Sequence, residues 1–147
     1  MGYVKEFPKS VKFLKKVNNA MERIAHLEDR IIEAESTVSK ATSSFNDIKV
    51  TTSQDNSYER KLINLISLKE QLNKKLIDLN ALVIQFTIYS NDLSNTDYAK
   101  LLELRYIKGM TWNEVRSELL VSESVIFRLH KRALGELEEL IENREKE

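Results

Sequence analysis

The sequence has no cysteine, one proline and three glycines in 147 residues. Without cysteine there is neither a disulfide nor a thiolate metal site, and the chain suits a reducing compartment. With so few helix breakers it is expected to be largely helical. It also lacks a long apolar run. The longest, ALVIQFTI at 81–88, is interrupted by Gln85 and Thr87 and falls far short of the roughly 20 residues of a membrane span. The start, MGYVKEFPKSVKFLKK, carries no apolar stretch of signal-peptide length, and Glu6 stands where an N-myristoylation motif wants Ser or Thr. The expectation is a cytoplasmic chain with no membrane partner. There is no excess charge: 23 basic residues face 23 acidic ones, which excludes a generic polybasic coat for nucleic acid.

The apolar residues are periodic. From Pro8 to about Ala41, Leu14, Val17, Met21, Ile24, Leu27, Ile31, Ala34, Val38 and Ala41 recur every three or four positions, the stripe of one helical face. A helix of about 33 residues is roughly 50 Å long at 1.5 Å rise and needs a partner helix. The segment TSSFNDIKVTTSQDNS at 42–57 is rich in residues that compete for backbone hydrogen bonds, so a break is expected there. Phe45, Ile48 and Val50 are expected to pack back on the helix tip, with Ser57 capping the next helix. From Tyr58 to Tyr89 a second stripe follows: Tyr58, Leu62, Leu65, Leu68, Leu72, Leu76, Leu79, Val83 and Phe86. Two such helices predict an antiparallel coiled-coil hairpin over residues 1–90, although an intermolecular coiled coil would use the same residues. Ile63, Ile66, Leu82 and Ile84 widen the second stripe beyond a two-helix seam, which favours a homodimer or packing on a third element.

After SNDLSNTD at 90–97, where Ser94, Asn95 or Thr96 can cap a new helix, the periods shorten and a small domain is expected over 95–141, with a charged tail at 142–147. A first helix, DYAKLLELRYIK, carries Leu101, Leu102, Leu104, Tyr106 and Ile107 and ends at Gly109 in a left-handed conformation. A second opens on Thr111 and Glu114, the T-x-x-E pattern of a capping box, and turns Val115, Leu119 and Trp112 inward. Leu120 and Val121 turn the chain, and Ser122 caps a third helix. Its buried face is Ile126, Leu129, Ala133, Leu137 and Leu140.

At about 100° per residue, Ser124, Phe127, Arg128 and Lys131 share an arc of about 100° opposite that buried face. Such a face fits the DNA major groove. Arg reads guanine with two hydrogen bonds, Ser serves several base edges, an aromatic edge meets the thymine methyl, and Glu123 has cytosine N4 as its natural target. Arg116 and Arg132 lie at the margins, where phosphate contacts fall. The free N–H groups near Thr111 and Trp112 can take a phosphate. Across 105–132 six basic residues stand against three acidic ones, a local excess inside a neutral chain. Nothing resembles a nucleophile with its base, a phosphate-binding glycine loop or a metal-ligand cluster, and His26 and His130 are far apart. The chain is expected to be no enzyme and to need no metal or cofactor.

The segment LLELRYIKGMTWNEVRSELLVSESVIFRLHKRAL resembles region 4 of bacterial sigma factors in LELRY, in the TxxEV helix start and in the Val-Ser entry into the third helix. The whole chain is similar to the ArpU-like late-gene transcription regulators of Gram-positive phages and prophages, through YVK…VKFLKK, SKATSSFNDI, LINLISLKEQLNKKLIDL and above all LLELRYIKGMTW and FRLHKRAL. The resemblance implies a sigma-like helix-turn-helix acting on phage promoters in the host bacterial cytoplasm, base contacts from Glu123, Ser124 and Arg128, and a further contact with RNA polymerase through Leu101 to Glu118. The sequence departs from such units twice. Arg116 stands where the helices usually cross over a small residue, and Leu120 where glycine is usual. A left-handed backbone there costs a bulky residue about 1 kcal/mol, so either the turn is rebuilt or the unit binds DNA weakly. Two other readings use the same parts: a small-terminase-like DNA-packaging subunit, and an adaptor of polymerase or sigma factor that never touches DNA.

Overall fold

The computed structural model describes residues 3–47 and 55–147. It is all-helical, with no strand among the described residues. The helices are α1 (Tyr3–Glu6), α2 (Pro8–Asp47), α3 (Asp55–Asn91), α4 (Thr96–Leu102), α5 (Trp112–Leu119) and α6 (Glu123–Glu145), with a π-helical turn over Glu103–Ile107 directly after α4. The chain divides into two compact units. One comprises the residues up to Met21 together with Leu79–Glu147, and the other is Glu22–Asp78.

The Glu22–Asp78 unit holds two long antiparallel helical segments. Glu35 pairs with Lys69 at 3.3 Å, and the Thr42 hydroxyl reaches the Tyr58 hydroxyl at 3.4 Å, so one index falls as the other rises. Their seam is Leu27, Ile31, Ala34, Leu65 and Leu68, flanked by Val38 and Leu72. Six of the nine positions expected on the first stripe (Leu14, Val17, Ile24, Leu27, Ile31, Ala34) are buried. On the second stripe Leu65, Leu68 and Phe86 are buried, while Leu62 and Leu76 are exposed.

The expected break is shorter than its composition suggests, because α2 runs on to Asp47 and α3 already begins at Asp55. Thr42 turns its hydroxyl onto the Val38 carbonyl at 2.9 Å, as Thr37 does onto Glu33. This i−4 bond satisfies the side chain without ending the helix. Ser57 therefore lies inside α3 and does not cap it. The packing expected of Phe45, Ile48 and Val50 lies outside the described side chains.

In the other unit a core of Leu14, Phe86, Tyr89, Leu101, Leu102, Val115, Ile126, Leu134 and Leu137, among others, joins α2, α3, α4, α5 and α6. The caps follow the sequence signals. Asn95 accepts the Asp97 N–H at 2.9 Å and opens α4. Thr111 accepts the Glu114 N–H at 3.2 Å and opens α5, and its hydroxyl also donates to the Glu114 carboxylate at 3.1 Å. Ser122 accepts the Val125 N–H at 3.4 Å and opens α6. Gly109 takes the left-handed backbone at φ +69°, and the Met110 N–H closes onto the Leu104 carbonyl at 3.0 Å. The plain helix expected over 97–108 instead widens into the π turn, closed by Lys108 N–H to Glu103 O at 2.9 Å. α6 does not stop near residue 141 but continues to Glu145.

Candidate functional site

The N-terminal half of α6 meets the π turn through His130 and the start of α5 through Phe127 and His130. α5 and α6 are joined by Leu120, Val121 and Ser122. Leu120 holds φ 55°, ψ 47° and is 90% exposed, so the left-handed turn is kept with leucine where glycine is usual. Its N–H returns to the Arg116 carbonyl, and the Val121 N–H reaches the same carbonyl at 3.2 Å. The local bonds of the turn outweigh the strain of one left-handed residue.

Beneath the outer face lies an aromatic platform. The Trp112 ring centroid is 4.6 Å from that of His130 and 6.0 Å from that of Phe127. The Arg105 guanidinium lies 4.8 Å over the Trp112 ring and donates to the Met110 carbonyl at 2.9 Å. The imidazole of His130 is buried, and its Nε2 shares a 2.9 Å hydrogen bond with the Tyr106 hydroxyl. Its Nδ1 has no hydrogen-bond partner among the described residues. Burial, reinforced by the nearby Arg105 charge, lowers the His130 pKa to about 4. Burial also raises that of Tyr106, against the opposing pull of Arg105. The ring is therefore a neutral packing element at pH 7.

On this platform the expected contact residues separate into groups. Ser122, Glu123, Ser124, Arg128, Lys131 and Arg132 are exposed along the first turns of α6. Phe127 and Trp112 are half-buried against each other, so Phe127 offers an edge and Trp112 little more. Thr111 is exposed, but its hydroxyl is engaged in the α5 cap. Arg116 is half-buried. It donates to the Asn113 side chain at 3.2 Å, and its buried Nε has no partner among the described residues. An open cavity of about 460 Å³ lies beside it, lined by Asn113, Arg116, Ser117, Leu120 and Val121.

The outer face of α6 has a limit that periodicity did not disclose. Glu6 approaches the Lys131 ammonium at 3.8 Å, and a Cβ added at Gly135 would meet the Phe7 ring at 3.5 Å. The surface left clear of these contacts therefore runs from Glu123 to Arg128, while Lys131 and Arg132, though exposed, lie beside Glu6. Sequence reasoning also missed Arg105 and His130 as supports of that surface. His130 lies four residues after Ile126 and three before Ala133, which places it on the buried face of a helix, and that spacing was the available signal. Arg105 carried none.

These features define an all-helical protein with a two-helix unit over Glu22–Asp78 and a second unit in which α4, α5 and α6 pack with the start of α2 and the end of α3. Residues 38–138 match the family described as "Protein of unknown function (DUF1492)", and the chain belongs to that family. No curated protein and no solved structure matches it. No helix among the described residues is long and apolar enough to cross a membrane.

Proposed function

We propose that this protein is a DNA-binding transcription regulator of the phage type, an antiparallel coiled-coil hairpin joined to a sigma-region-4-like helix-turn-helix. The observation that carries the reading is the free outer face of α6. Ser124, Arg128 and Arg132 are exposed on it, and the helix beneath is fixed by the Trp112–His130–Tyr106 platform. Arg128 and Ser124, with Glu123, read base edges. Arg132 and Arg116 meet phosphates, Arg116 from beside its open cavity.

One such unit makes few phosphate contacts, so its affinity is modest and falls steeply with salt. A second copy, or RNA polymerase bound through Leu101 to Glu118, supplies the remainder. Ile63, Ile66 and Ile77, exposed on the Glu22–Asp78 unit, support a second copy.

The test is selection from a random duplex library with the wild-type chain and with Arg128→Ala. The wild type should enrich one motif, and the variant should lose about tenfold or more in affinity and relax at one position. Arg132→Ala should weaken binding uniformly and reduce the salt slope by about 1. No enrichment, with or without added polymerase, would sink the reading and favour the adaptor. A closed ring by native mass spectrometry would instead favour the packaging subunit.

A further inference from the structure

A groove in the unit made of the residues up to Met21 and Leu79–Glu147 has no part in the DNA reading. It lies among the start of α2, the end of α3 and the last turns of α6, and has a volume of about 450 Å³. Its floor is apolar: Phe13, Leu82, Tyr89 and Ile141. Phe13 and Tyr89 pack edge to face with centroids 5.4 Å apart, so the floor is preset. Its rim carries four cations, Lys9, Lys12, Lys16 and Arg144. Glu138 and Glu142 act on Lys9 from nearby, but among the described residues the only carboxylate that lines the groove is Glu145.

That carboxylate is already committed to Lys9 at 2.6 Å. Among the described residues neither Lys12 nor Lys16 has a carboxylate within ion-pair distance, and both are exposed. Four residues apart, they stand one above the other on α2, roughly 6 Å along its axis.

We propose that this groove docks an acidic, amphipathic segment of a partner protein. Its carboxylates meet Lys12, Lys16 and Arg144, and its apolar side chains enter the trough between them. Charge complementarity argues for the acid, and the floor argues for protein over nucleic acid. A phosphate backbone offers nothing to Leu82 and Ile141. Base stacking needs a free ring face, and Tyr89 has Arg144 5.6 Å over its ring and Phe13 set at 88° to it. A helix-in-groove contact uses both halves of such a surface, with the lysines steering the encounter.

Peptide phage display against the full chain tests this directly, with Lys12→Glu/Lys16→Glu as the comparison and circular dichroism to show that the variant keeps its helices. The wild type should enrich peptides that interleave Asp or Glu with Leu, Ile or Phe. The best of these, made synthetically and labelled, should lose about tenfold or more in affinity on the double variant and none on Arg128→Ala. Enriched peptides without acidic excess, or peptides that bind the double variant equally well, would overturn the proposal. So would a duplex DNA affinity that falls as far in the double variant as in Arg128→Ala, since that would assign the groove to phosphate.

Discussion

The carboxylate of Glu138 accepts the backbone N–H of Lys9 at 2.6 and 3.0 Å and that of Ser10 at 3.3 Å, across nearly the full length of the sequence. Pro8 opens α2, which leaves Phe7 in the capping position with no side-chain oxygen to offer. α6 supplies the missing acceptor, and the negative charge sits at the positive end of the α2 dipole. The Ser10 hydroxyl adds a second tie, donating to the Leu134 carbonyl at 2.8 Å. The start of the chain is thereby fastened to the helix that carries the candidate contact face.

Glu138→Gln keeps the shape but replaces a charged acceptor with a neutral one and brings an amide donor into a buried site. The expected cost is about 1–3 kcal/mol. Urea denaturation should show the loss. Native-state hydrogen exchange should place it at the Lys9 and Ser10 amides first. Unchanged protection there would mean the cap contributes nothing.

Leu120 is the converse case, a residue whose native conformation opposes its side chain. It is left-handed and almost fully exposed, so removing the side chain forfeits little packing. Leu120→Gly should stabilise the protein by about 0.5–1 kcal/mol, the relieved strain being partly offset by the greater freedom of the unfolded chain. Leu120→Ala keeps the Cβ and should gain much less. Thermal melts of the three proteins give the order, and a melting temperature for the glycine variant below the wild type would refute the strain argument.

What could be read from the sequence was what repeats or caps locally. The α2 stripe was legible because Ile24, Leu27, Ile31 and Ala34 each lie three or four residues from the next. The starts of α5 and α6 were legible because Thr111 and Ser122 act within three residues of themselves. The Glu138–Lys9 cap joins groups 129 positions apart, and no window along the chain contains both. The π turn was hidden for a related reason. It takes in one more residue than the helical period allows, and Arg105 and Tyr106 use that turn to reach Trp112 and His130. The candidate contact residues were nameable from their arc on α6. Where that arc ends was set by Glu6 and Phe7, from the other end of the chain.

The exposed isoleucines of the Glu22–Asp78 unit are unusual for a solvated helix. Ile63 is 58% exposed, Ile66 50% and Ile77 70%. At about 100° per residue they share an arc of roughly 60°, turned away from Leu65 and Leu68. Two-helix elements bury little, and a self-complementary apolar stripe is what a twofold interface needs. Light scattering coupled to gel filtration should give twice the 17.1 kDa chain mass. Ile63→Glu/Ile66→Glu should return it to the single mass with helicity retained. A wild-type chain that elutes at single mass at tens of micromolar would exclude this interface.

His130 makes stability depend on acid in a predictable direction. Its folded pKa is about 4, against 6.5 for a free imidazole. The neutral form is the one the fold accepts, so the contribution is present above pH 6.5. It is lost as pH falls towards 4, because the unfolded chain takes up a proton that the folded one refuses. Below the folded value the loss levels off. The shift corresponds to something on the order of 3 kcal/mol. The groups that face the ring are Tyr3, Tyr106, Arg105 and Trp112, and none of them is a carboxylate that would welcome the charge. His130→Gln removes the titration, so the difference between the urea midpoints of wild type and variant should change between pH 7 and 4 and be flat above pH 7. Trp112, the only tryptophan, lies 4.6 Å from the imidazole. Its fluorescence in the folded protein should quench as the ring charges, near pH 4. Quenching centred near 6.5 would mean that water reaches the imidazole, and the platform beneath α6 would then be looser than its packing implies.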